Sequence, residues 1–246
     1  LSHFFEITYR IDSRDTDTFG LCRSSALLAY LQEVANLAAD DLHSSREDML
    51  ERYNCFWMLV RVWYRLDKPI RQFDRITFKT WHRGDKGVTM YRDFDLIRDG
   101  ERIGEAISAW VLADWDTRKM LRLSKVAEFE GTDGGALRKE LQLRRLKLPE
   151  IMEPVHERMI HYSDLDVNGH ANNTKYADYI CDAMGLEQTG GYPSQMQIGY
   201  EAECMAGDTL RLLLGREDGQ YFVRGDDPEG KNRFEAAVSL SPLEVS

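Results

Sequence analysis

Cysteine, uninterrupted apolar stretches and an excess of basic residues are what this 246-residue chain has little of, and each shortage removes a class of protein. Its four cysteines, Cys22, Cys55, Cys181 and Cys204, show none of the CxxC spacings of a zinc site or redox motif. Without an extracellular signal beside them, free thiols in a reducing compartment are expected rather than a disulfide framework. No run approaches the roughly 18 to 20 apolar residues that a membrane helix needs; the best, residues 106–113, is strand-sized and holds Ser108. Lysine and arginine number 32 against 42 aspartates and glutamates, a net charge of -10 that argues against a surface devoted to nucleic acid. The opening LSHFFEITYR does not have the layout of a signal peptide. The cytoplasm is the expected location, or a plastid had an upstream transit segment been removed.

What is present is the composition of a folded protein, 43% hydrophobic and 30% charged, long enough for one large domain or two of modest size. Leu27, Tyr30, Leu31, Val34, Leu37 and Ala38 recur at helical spacing and predict a helix over 26–42, with Ser24, Ser25 or the preceding loop as its cap. Tyr176, Tyr179, Ile180 and Ala183 predict a second helix, capped by Asn172 or Asn173 and ending near Met184. Strands are expected at 57–66, 75–84, 88–98 and 102–115, then at 195–203, 209–215, 220–226 and 232–240. Asp99-Gly100 and Asp218-Gly219 mark hairpin turns. The chain thus reads as α+β, with halves at 1–130 and 154–246 that are each one helix followed by several strands. The connector over 131–153 carries Arg138, Lys139, Arg144, Arg145 and Lys147, either a solvated linker or a basic docking surface on an acidic protein.

The halves are related. Sliding the sequence by 149 residues sets DTDTFGLCRSSALLAY over DLDVNGHANNTKYADY, matching Asp15 with Asp164, Asp17 with Asp166, Gly20 with Gly169 and Tyr30 with Tyr179. The mismatches are more informative. Asn168 faces Phe19, His170 faces Leu21, Asn172 faces Arg23 and Asn173 faces Ser24, so the second copy is polar where the first is apolar. A structural copy and a chemical copy are expected, since polar groups held in a fold are costly unless bonded or used.

The segment from Asp164 to Asn173 holds two carboxylates, three amides and one imidazole. Its glycine permits an unusual backbone angle, and the following helix points free N–H groups at the loop, where an oxyanion could be stabilised. An imidazole moves protons near neutral pH, which makes His170 a candidate acid or base. The DxDxNG pattern also suggests a calcium loop, but its twelfth position would be Lys175 rather than glutamate. Plain capping of the helix is the bland alternative.

DLDVNGHANNTKY, with YEAEC at 200–204 downstream and the paired halves, resembles the acyl-acyl carrier protein thioesterases. The resemblance implies a tandem, or double, hotdog fold, each half a long helix wrapped by a curved antiparallel sheet. It implies hydrolysis of fatty acyl-carrier thioesters to free fatty acid, without metal or cofactor. By the family's pattern Asp166, Asn168, His170 and Glu203 are the catalytic set. Glu203 or His170 would activate water, Asn168 would orient it or the carbonyl, Asp166 would hold Asn168, and backbone groups at Asn172 and Asn173 would assist the oxyanion. Cys204 is a disfavoured nucleophile. Phe56, Trp57, Met58, Leu59 and Trp63, with Trp81 and Trp110, are candidates to line the acyl slot. The implied partner is an acyl carrier protein bearing a phosphopantetheine arm; the connector arginines, the lysines beside them and Arg158 are candidate docking residues. An acyl-CoA thioesterase, a dehydratase and a noncatalytic acyl-binding protein are the alternatives, and monomer and homodimer are both open.

Overall fold

A computed structural model describes residues 4–122 and 143–243. Within them the first half runs β1 (Phe5–Arg10), α1 (Ser24–Asp41), α2 (Arg46–Tyr53), β2 (Cys55–Leu66), β3 (Arg75–Lys86), β4 (Thr89–Arg98), β5 (Glu101–Asp114) and a two-residue β6 (Met120–Leu121). The second half runs β7 (Glu153–Met159), α3 (Lys175–Met184), β8 (Gly191–Tyr200), β9 (Thr209–Glu217), β10 (Gln220–Asp226) and β11 (Asn232–Pro242).

The strands form one antiparallel sheet in the order β1-β3-β4-β5-β2-β8-β11-β10-β9-β7, with β6 beside β5. Reading outward from the β2–β8 seam, the two halves repeat one strand order. The seam itself is five residue pairs, from Arg61 opposite Gly199 to Arg65 opposite Gln195. Gly199 leaves room there, because a side chain would press on Glu235 Cγ at 3.3 Å.

α1 and α3 lie on one face of this sheet. α1 buries Leu27, Leu31, Val34 and Ala38 of the predicted stripe together with Leu28 and Ala35, leaves the predicted Tyr30 and Leu37 half-buried, and packs against α3 and β3. α3 buries Tyr176, Tyr179, Ile180 and Ala183. A single apolar core runs through both halves, from Leu31, Tyr64 and Phe78 to Tyr179, Ile198 and Phe234. Of the caps expected for α1, the preceding loop supplies it, at Arg23; Ser24 is the first helical residue, and its hydroxyl lies 2.7 Å from the Tyr64 hydroxyl instead of capping the helix.

Three elements lie outside the predicted pattern. β1 and β7 precede the helices, so neither half is simply a helix followed by strands, and β7 begins at Glu153, inside the expected connector. β7 is an edge strand exposed at nearly every residue, so no alternation marks it in the sequence. α2 is short, and Ser45 caps it by accepting from the Asp48 N–H at 3.2 Å while Asp48 accepts from the Ser45 N–H at 3.0 Å.

The connector is also corrected where it is described. Leu143 is buried against Trp63, Ile107 and Ala109, the Gln197 amide donates to the Arg144 carbonyl at 2.9 Å, and the Leu146 N–H donates to Glu235 at 2.6 Å. Residues 143–146 therefore lie along the sheet. Trp63 and Glu235 alternate with the core residues Tyr64 and Phe234, which places this segment on the face turned away from the helices. Arg138 and Lys139 lie outside the described residues.

Candidate active site

The loop before α3 is built on Asp164. This buried carboxylate accepts from the Arg158 guanidinium at 3.0 Å and from the His161 N–H at 2.9 Å. Burial by itself would favour the neutral acid. The N–H bond and the arginine outweigh it and hold Asp164 below the ordinary carboxylate value. Arg158 also lies over the Tyr179 ring, 4.7 Å from its centroid. The guanidinium expected to dock a partner is thus committed to supporting the loop.

From that base the chain turns sharply. The Asp166 carboxylate accepts from the Asn168 N–H at 2.8 Å, the Gly169 N–H donates to the Asp166 carbonyl at 3.0 Å, and Gly169 closes the turn at φ +77°. A residue with a side chain would be strained at that angle. The first half keeps this scaffold. Asp17 accepts from the Phe19 N–H at 2.8 Å, Gly20 sits at φ +71°, and the bridge between Thr16 and Cys22 mirrors that between Leu165 and Ala171. Tyr30, the counterpart of Tyr179, donates to Asp15 at 2.7 Å. The backbone geometry is common to both loops, and only the side chains differ.

Glu203 arrives from a different segment. β8 ends at Tyr200, so Glu203 and Cys204 do not lie on the strand expected to carry them. They sit in the stretch that crosses the loop before α3, where the Ala171 N–H donates to the Cys204 carbonyl at 2.8 Å and His170 bridges to Met205. Arg233 steadies this stretch by donating to the Glu203 carbonyl at 3.1 Å. The crossing brings the Glu203 carboxylate to 3.4 Å from His170 Nε2. Cys204 points the other way; it is 1% exposed, and burial pushes its thiol above the ordinary value.

Asn168 is exposed, with its side-chain nitrogen 3.4 Å from the Asp166 carboxylate and its side-chain oxygen accepting from Arg46 of α2 at 3.2 Å. Arg46 was not a sequence candidate, although the Ser45-Arg-Glu-Asp48 capping box marks the helix that carries it. Asn172 uses its side-chain oxygen locally, accepting from the Thr174 N–H at 3.0 Å and hydroxyl at 2.9 Å, so that atom orders the start of α3. Asn173 lines a crevice, and its carbonyl accepts from the Tyr200 hydroxyl at 2.9 Å.

That crevice, about 20 Å³, lies between α1 and the start of α3, walled by Leu28, Leu31, Leu59, Phe94 and Trp110. It holds roughly one water, so side chains must move before a chain of any length can enter. Of the residues expected to line an acyl slot, Leu59 and Trp110 wall this crevice. A bulge between Leu59 and Arg61 resets the alternation of β2 and turns Trp63 to the opposite face. Trp57 packs on Met49, Cys55 and Leu112, and its indole donates to the Ser44 carbonyl at 3.3 Å. Phe56 meets Trp115 edge to face, and Met58 is a half-buried neighbour on the same strand. Trp81 packs against Phe4. A larger cavity, about 190 Å³, lies beside the first-half loop against α3 and includes Phe19, Leu21, Tyr64, Asp178 and Asp182. It occupies the related position in the other half and holds none of the candidate catalytic side chains.

Among the candidate docking residues, Arg145 lies 3.4 Å from Glu235, while Arg144 and Lys147 are exposed. Among the described residues no group of histidine, cysteine, aspartate and glutamate is arranged to hold a metal ion, and no helix is long and apolar enough to cross a membrane.

Two halves of one strand order, each wrapping a helix and joined at β2 and β8, define a double hotdog with its polar loop in the second copy. The chain belongs to the acyl-ACP thioesterase family: the profile of the acyl-ACP thioesterase N-terminal domain matches residues 2–128 and that of the C-terminal domain matches residues 151–231. It is similar to oleoyl-acyl carrier protein thioesterase 1 of Arabidopsis thaliana, 24% identical over 84% of this chain and 60% of the plant protein. It is also similar to the palmitoyl-acyl carrier protein thioesterase of that plant, 28% identical over 79% of this chain and 50% of the plant protein. The chain thus spans half to three-fifths of these relatives' lengths. The fold is shared with an acyl-ACP thioesterase of Bacteroides thetaiotaomicron, at TM-score 0.79 and 23% identity over 97% of this chain and 98% of that one. The 12:0-ACP thioesterase of Umbellularia californica shares it at TM-score 0.80 and 18% identity, over 98% of both chains.

Proposed function

We propose that this chain hydrolyses fatty acyl thioesters, with an acyl carrier protein as the carrier of its substrate. The observation that carries the reading is the placement of His170 and Glu203, 3.4 Å apart on two segments that cross beside Asn168. Water bound beside these groups would lose a proton to one of them as its oxygen adds to the thioester carbonyl. The Asn168 amide would donate to the oxygen that gains charge. Collapse of the adduct breaks the C–S bond, and the departing thiolate takes a proton, giving a fatty acid and a free carrier thiol. Asp166 holds Asn168, and the first half supplies α1 and β2 to the acyl crevice.

A carrier-linked substrate is favoured over acyl-CoA by family membership, and the relatives named above are acyl carrier protein thioesterases. The test is turnover of matched acyl chains on carrier protein and on CoA. A higher kcat/KM on the carrier is expected; equal or better CoA turnover rejects the carrier assignment. Binding of both without release of thiol rejects hydrolysis altogether.

A further inference from the structure

We propose that Arg46, from the half without a catalytic loop, is a positioning residue that sets the orientation of Asn168. The inference rests on the hydrolytic reading for its kinetic consequence, though its structural part stands apart from it.

The argument begins with the two ends of one amide. A carboxylate without its proton can only accept hydrogen bonds, and a guanidinium can only donate. Asp166 lies 3.4 Å from Asn168 Nδ2, and Arg46 Nη2 lies 3.2 Å from Asn168 Oδ1. Turning the amide over would set its oxygen against the carboxylate and its NH2 against the arginine, so both contacts would become repulsive. The pair therefore selects one orientation, and Asn168 keeps its second N–H free to donate. Without Arg46, one of the two restraints is gone and Asp166 must hold the amide alone.

Charge adds to geometry. Hydrolysis of a thioester builds negative charge on the carbonyl oxygen, and the nearby Asp166 and Glu203 carboxylates oppose it. Arg46 contributes the opposite sign through the amide oxygen that it holds, which strengthens the N–H on the far side of that amide as a donor. The arm that carries it is supported. Ser45 and Asp48 cap the helix at its base, the guanidinium carbon lies 5.8 Å from the centre of the Trp115 ring, and the ion pair to Glu47 is a long 3.9 Å. The two residues are 122 apart in the chain, so the contact exists only when the halves are joined.

The test is a double-mutant cycle with R46A and N168A, together with R46K. R46A should lower kcat about 5-fold and change KM by less than about twofold, since the bond matters most as charge develops. R46K, which keeps the charge but loses the planar fork, should recover part of the loss. In the N168A background, R46A should change kcat by less than about 1.5-fold. An undiminished effect of R46A in that background, no effect in the parent chain, or a loss confined to KM on carrier-linked substrate would each overturn the proposal. Orientation is read without turnover from the side-chain NH2 resonances of Asn168, identified by their loss in N168D. Displacement in R46A, with backbone resonances away from the loop unchanged, supports the proposal; unmoved Asn168 resonances overturn it. A parent chain that releases no thiol from any acyl thioester defeats the functional reading, and those resonances still decide the positioning of Asn168.

Discussion

His170 Nε2 and the Glu203 carboxylate lie 3.4 Å apart, although 32 residues separate them and no regular element contains both. Backbone hydrogen bonds bring them together, from Ala171 to Cys204 and across the bridge between His170 and Met205. The Glu203 side chain is 51% exposed, so the pair is screened by water and adds about 0 to 1 kcal/mol to stability. The pair therefore does little to hold the fold together.

H170Q and E203Q should each lower kcat by about 100-fold or more on an acyl thioester while leaving thermal unfolding nearly unchanged. The double variant should be little worse than the weaker single one, because two groups acting on one water do not contribute independently. Cys204 gives the contrast: with its thiol buried and held protonated, C204S should turn over within about threefold of the parent chain. Full activity in both H170Q and E203Q, or a C204S protein that is inactive yet folded, would reject this assignment.

Gly20 and Gly169 test the division between the halves. Each adopts positive φ, and each has open space where a Cβ would stand, so alanine would bring backbone strain without crowding. G20A and G169A should both cost about 1 to 2 kcal/mol of stability. Only G169A should also slow turnover, by about tenfold, because it disturbs the loop that holds Asn168 and His170. Equal kinetic losses in the two variants would show that the first loop shares in the chemistry.

Asp164 predicts a pH dependence of stability. Its folded pKa lies below the ordinary value of 3.8, so the folded chain binds this proton more weakly than the unfolded chain does. The stability it contributes is fully present above that ordinary value and is lost as pH falls through the lower folded value. D164N should cost about 1 to 3 kcal/mol at neutral pH, and the difference from the parent chain should shrink in acid. Denaturant unfolding of both proteins across that range checks the sign. A difference that stays constant from neutral pH to about pH 2 contradicts the linkage.

Some of this protein was legible before any fold was known. The stripe of α1, the turn at Asp99-Gly100 and the polar loop from Asp164 to Asn173 are local, because propensity and spacing within a dozen residues determine them. The correspondence of Asp17 with Asp166 and of Gly20 with Gly169 was readable for the same reason, and both loops keep the same turn. Glu203 was different: nothing in its spacing marked it, and only resemblance to a family pointed there. β7 left no trace, since an edge strand exposed on both faces has no alternation to detect. Trp63 was misplaced because one bulge in β2 reverses the side on which the next residues fall.

By itself the sequence determined which segment holds the amides, carboxylates and imidazole, and which of the two copies keeps the carboxylates but lacks the amides and the imidazole. Tertiary structure decided what those groups meet. The crossing of residues 201–208 over the loop sets Glu203 beside His170, and pairing of β2 with β8 joins the half that carries Arg46 to the half that carries Asn168. Those meetings depend on strand register, a bulge and the packing of two halves, quantities set by the whole chain's burial of its core rather than by any residue's neighbours in sequence.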